Sequence, residues 1–105
     1  MIMKNFKFYP KRMVATCGVN AKLQKDINFA REMEACVLKH LRNEGEECKS
    51  DNKLNEQAIK NMDGRVVSTF NCAGTKIYII TDGLHLKDSA YKEYPLTTIL
   101  FPEEY

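Results

Sequence analysis

Arg65-Val66-Val67-Ser68-Thr69-Phe70-Asn71-Cys72, the turn Ala73-Gly74-Thr75, and Lys76-Ile77-Tyr78-Ile79-Ile80-Thr81-Asp82 together decide the fold. Both arms are rich in β-branched and aromatic residues, and a glycine-centred turn joins them, which predicts a β-hairpin. Ile77-Tyr78-Ile79-Ile80 is apolar on both sides, as expected of a central strand. Thr97-Thr98-Ile99-Leu100-Phe101 reads as a further strand stopped by Pro102, and residues 11–16 as a short strand ended at Gly18. Residues 19–25 read as a connection or a helical first turn.

Two helices precede the hairpin. Over 26–43, Phe29, Ala30, Met33, Cys36, Val37, His40 and Leu41 recur at steps of three and four and so share one face. Asp26 suits the start, Gly45 the stop, and Lys39 and Arg42 the negative end of the helix dipole. A shorter helix, capped by Ser50 or Asp51 and running to Met62, carries a thin stripe of Leu54, Ala58 and Met62; Asp63-Gly64 breaks it. The expectation is α+β: a small antiparallel sheet of three to four strands, with one long helix across it and one short helix.

The 105 residues form one domain, 1–105, with a basic aromatic segment at 1–10. No apolar run approaches the ~20 residues that span a bilayer, and no apolar core with a small-residue cleavage site opens the chain, so a cytoplasmic protein without membrane contact is expected. The net charge of +2 hides an asymmetry. Lys4, Lys7, Lys11, Arg12, Lys22 and Lys25 precede Asp26, the first acidic residue; ten basic and fourteen acidic residues follow from there. A basic head favours an anionic partner, although a solvated charged edge has the same composition.

Chemistry-bearing motifs are sparse. Cys36 and His40, at i and i+4, could share a metal ion, but Cys17, Cys48, Cys72 and His85 arrive without knuckle spacing, and both residues fall on an apolar face. Core packing is therefore expected, with no metal, no cofactor and no disulfide. Cys17 sits before Gly18, where a nucleophile would suit, yet neither histidine is tied to it. Phosphate-cradling glycine motifs are missing. No catalytic residue is expected.

Two segments read as contact surfaces. Residues 4–12 interleave Phe6, Phe8 and Tyr9 with Lys4, Lys7, Lys11 and Arg12, which fits single-stranded nucleic acid or an edge strand with its phenylalanines inward. The long segment 83–95 carries Tyr91 and Tyr94, suited to partner contact or to a local lid. A third set, Arg65, Ser68, Thr81, Asp82, Thr97 and Thr98, lies on or beside neighbouring strands and could converge at one sheet end as a small-ligand site. Ordinary cross-strand pairing is the alternative there.

Residues 54–61, Gly64-Arg65-Val66-Val67-Ser68, Lys76-Ile77-Tyr78-Ile79-Ile80-Thr81-Asp82 and Thr97-Thr98-Ile99-Leu100-Phe101-Pro102-Glu103-Glu104-Tyr105 resemble a family of small proteins carried by plasmids, conjugative elements and prophages, loosely labelled plasmid-related. The resemblance spans roughly 12–105 and is strong over 54–105. Tyr78 stands where that family has Trp and Asp82 where it has Glu, and residues 83–96 replace a short Ala-Asp-Arg-Ser link. What the resemblance implies is a setting, the accessory cargo of mobile DNA. In that setting a non-enzymatic protein that binds and blocks a host protein or ribonucleoprotein is expected, as an anti-CRISPR-like or anti-restriction inhibitor does. Lys4, Lys7, Lys11, Arg12, Tyr91 and Tyr94 would carry the contact, and nucleic acid also fits the basic head. The alternative is a nucleotide-like ligand binder, which would be a homo-oligomer.

Overall fold

The computed structural model describes residues 6–86, 90 and 93–105. Strand β1 (Arg12–Ala15) leads into α1 (Cys17–Lys25) and α2 (Ile27–Leu41), then α3 (Lys49–Asn61). The hairpin β2 (Val66–Cys72) and β3 (Thr75–Asp82) follows, and β4 (Leu96–Leu100) closes the sheet. The spatial order is β1-β4-β3-β2. The fold is α+β, with two differences from expectation. The sheet is mixed, because β1 runs parallel to β4 while β4, β3 and β2 alternate. Three helices and a hairpin separate β1 from β4, and so long a connection permits the parallel return that a tight turn forbids. There are also three helices rather than one long and one short. Residues 17–25 are fully helical because the Thr16 hydroxyl accepts the Val19 N–H and caps the first turn.

Asp26 caps α2 in the same way, its carboxylate accepting the Phe29 N–H at 3.0 Å. That bond is the leading reason its carboxyl lies below the usual value. The inward residues of α1 and α2, Val19, Phe29, Met33 and Cys36, pack on Phe70, Cys72, Ile77, Ile79 and Ile99 of the sheet. The anticipated stripe of α2 is this core. Phe8, Leu41, Val66 and Leu84 form a second cluster, into which α3 sends Ala58 and Ile59. Leu54, placed on the buried stripe by its spacing, is instead exposed, and Asn55 beside it is buried. The opposite sheet face carries Val14, Val67, Tyr78, Ile80, Leu96 and Leu100; the C-terminal turn covers one end of it, where Tyr105 meets the Tyr78 ring edge-on at 5.9 Å.

Candidate functional site

Residues 6–10 form no strand. They cross the C-terminal end of α2 as a strap, tied by Lys7 N–H donating to the Leu41 carbonyl at 2.7 Å and by Lys11 N–H donating to the Pro95 carbonyl at 2.8 Å. The alternation expected of an edge strand survives without the pairing. Phe8 is buried against Leu41, Val66 and Leu84, Phe6 is half-buried, and Lys7 and Tyr9 face solvent. Between the strap and the body runs a groove of about 410 Å³, with Lys7, Tyr9, Pro10 and Lys11 on one side and Met62, Leu84 and Pro95 on the other. Its floor is apolar and its rim cationic. Tyr9 is 53% exposed, and its ring, packed at a tilt against Phe6 at 6.0 Å, presents an aromatic surface beside two lysines.

The remaining head and loop residues divide. Arg12 is exposed but engaged, its guanidinium meeting the Glu93 carboxylate at 2.5 Å across two well-solvated side chains. Tyr94 is half-buried and lies over Gly83, so close that a Cβ there would meet its ring at 2.6 Å. Lys4 and Tyr91 lie outside the described residues.

Of the six residues anticipated as a ligand site, three converge. Ser68 on β2, Thr81 on β3 and Thr97 on β4 project from the helix-covered face, and His40 in the last turn of α2 reaches down to them. The Ser68 hydroxyl lies 2.6 Å from His40 Nδ1, the Thr81 hydroxyl 2.8 Å from Nε2, and Thr81 and Thr97 share a hydrogen bond of 2.6 Å. All four side chains are fully buried, and Phe8 of the strap meets the imidazole edge-on at 5.2 Å. Neutral imidazole has one donor and one acceptor, and hydroxyls supply either, so every partner is satisfied. Burial pushes the imidazole down to about 3, overriding the helix C-terminus, which favours the cation. The Ser68–His40 contact has the composition of a nucleophile and its base, but no carboxylate orients the ring and no solvent reaches it.

The other three lie apart. Asp82 and Thr98 fall on the opposite face by strand alternation, and Arg65 turns to the C-terminus, donating to the Tyr105 hydroxyl at 2.7 Å. A six-residue cluster would need both sheet faces at once. Arg65 also borders a smaller groove of about 290 Å³ between α3 and β2, where Asn55 and Glu47 Oε1 bond the β2 backbone and Glu47 Oε2 accepts from the Asn52 and Asn55 amides.

The cysteines divide by depth. Cys36 and Cys72 are buried and free, and burial raises both thiols, Cys72 to about 12. Cys17 and Cys48 are free and exposed. Among the described residues no three metal-ligating side chains converge. No described helix is long and apolar enough to cross a membrane.

Sequence reading missed Asn55, Glu46 and Glu47, which cover the outer edge of β2. Asn55 Nδ2 donates to the Val67 carbonyl at 2.9 Å and its Oδ1 accepts the Val67 N–H at 3.0 Å. Glu47 accepts the Thr69 N–H, and Glu46 the Asn71 N–H, each at 3.2 Å. A signal was present: residues 55, 58, 59 and 62 form a better helical stripe than 54, 58 and 62, with a polar residue at its head. Comparison with protein-family models, with curated proteins and with solved structures finds no match to this chain.

Proposed function

We propose that this protein is a non-catalytic binding module that occupies and blocks an acidic face of a host protein or ribonucleoprotein, using the strap groove as its contact. The observation that carries this reading is the groove itself, an apolar floor rimmed by Lys7 and Lys11 with an exposed Tyr9 between them. Lysines there speed encounter with an anionic surface, while the tyrosine and the floor supply desolvated contact area. The Ser68–His40 pair is sealed and internally satisfied, which favours binding over turnover. The finer reading, a mobile-element accessory protein acting as a counter-defence inhibitor, rests on the sequence resemblance alone.

Native mass spectrometry on the tagged chain, captured gently from cells, identifies the bound macromolecule. Reversing Lys7, Lys11 and Arg12 to glutamate is expected to weaken that complex by on the order of tenfold and to flatten its salt dependence. Lys7 should account for more of the effect than Arg12, because Arg12 already faces Glu93. An affinity and salt slope that survive the reversal refute the reading, as does a chain recovered bare.

A further inference from the structure

We propose that two copies of this chain pair edge to edge through β1, antiparallel about a two-fold axis at Val14, joining their sheets into one. The inference goes beyond the strap groove and stands independently of it.

The two edges of the sheet are treated differently. On β2, side chains from α3 and the segment before it occupy the outward backbone groups of Val67, Thr69 and Asn71, which prevents strand addition. On β1, Arg12 N–H and Thr16 N–H turn inward, to the carbonyls of Pro95 and Ile99. Strand alternation then directs the N–H and C=O of Met13 and Ala15 outward. No bond among the described residues reaches them.

That spacing is self-complementary. With Val14 on the axis, Met13 of each copy faces Ala15 of the other as a hydrogen-bonded pair, for about four backbone bonds in all. A register centred on Met13 forms only about two. Charge favours the same arrangement. Arg12 comes opposite Thr16 of the second copy, and Thr16 donates its hydroxyl to Glu104 at 2.6 Å. Each guanidinium, already held by Glu93 of its own copy, faces that hydroxyl, so no like-charged side chains stand directly opposite each other. Val14 is half-buried on the face shared with Ile80 and Leu96, so pairing extends an existing apolar surface. So short a seam buries less than a stable dimer needs, on the order of 1,000 Å² or more, so the association is a weak one.

Val14→Cys, placed in a Cys17→Ser/Cys48→Ser background, tests the axis. Facing residues of a non-hydrogen-bonded pair have Cα atoms about 4.5 Å apart, within disulfide range. Mild oxidation should give a covalent dimer, whereas Arg12→Cys in the same background should not. Sedimentation across 10 µM to 1 mM, roughly the range of weak contacts, should show reversible dimerisation of the unaltered chain. Val14→Glu and Val14→Lys should each weaken it at least about tenfold, with an equimolar mixture recovering it. Circular dichroism identifies any variant that fails to fold, and the unaltered chain needs no such control. A monomer throughout, equal cross-linking at Arg12→Cys, or no recovery in the mixture overturns the proposal.

Discussion

Acidification tests the buried imidazole most directly. His40 is held neutral in the fold, at about 3, against an ordinary 6.5. The unfolded chain therefore binds a proton below 6.5 that the folded chain refuses, so stability falls as pH falls, by about 1.4 kcal/mol per pH unit. Above about pH 7 the effect vanishes, since both states are neutral. Between pH 7.5 and 4.5 the loss is about 3 kcal/mol, a large fraction of the ~5–15 kcal/mol typical of a domain. Urea denaturation at a series of pH values reads it as a midpoint falling by about 1–2 M. Asp26 and Glu104 also lie below their ordinary values, Asp26 through the Phe29 N–H and Glu104 through the Thr16 hydroxyl. Their contributions are present at neutral pH and are lost only as pH falls through the ordinary carboxylate range. The interval between about pH 6.5 and 5 therefore isolates the histidine. His85, exposed and beside Asp63, is replaced by glutamine in both backgrounds. His40→Gln should be less stable at neutral pH yet lose most of the slope. A flat profile over that interval, or the same slope in His40→Gln, refutes the assignment of a buried neutral imidazole.

Asn55→Ala leaves the Val67 N–H and C=O without their partner, and should cost about 2–3 kcal/mol in urea denaturation. It also bares part of the β2 edge, so light scattering should rise at concentrations where the unaltered chain stays clear. Thiol titration with a disulfide reagent should find Cys17 and Cys48 reactive in the native protein, with Cys36 and Cys72 appearing only on unfolding. Four fast thiols would contradict the packing of the core.

The hairpin, the strand before Pro102 and the main helix were legible because local period and turn chemistry specify them. Helix α2 follows its stripe from Phe29 to Leu41, and Ala73-Gly74 makes the turn of the hairpin, both residues at positive φ. The direction of β1 was not legible, since nothing local to Arg12–Ala15 says whether the distant strand Leu96–Leu100 lies parallel to it. The hydroxyls of Ser68, Thr81 and Thr97 were legible only inside a set of six that mixed both sheet faces. The residue that joins them, His40, comes from a distant helix and fills the space a ligand would need.

His40 and Asn55 belong together in physical terms. Each is a polar residue in an otherwise apolar helical stripe, and a reading by hydrophobicity alone counts each as a defect. Both meet β2 at consecutive residues: His40 takes the Ser68 side chain from the sheet face, and Asn55 takes the Val67 backbone from the edge. A one-residue slip of β2 would turn Ser68 to the other face and Val67 into the core, breaking both sets of bonds at once. Apolar contacts distinguish such registers poorly here, because Val66, Val67 and Phe70 are all acceptable core residues and β3 is apolar on both faces. Directional bonds distinguish them well, since a misplaced buried donor costs about 1–3 kcal/mol. The two polar residues therefore reinforce, from the face and from the edge, the register that the Ala73-Gly74 turn sets for β2 against β3.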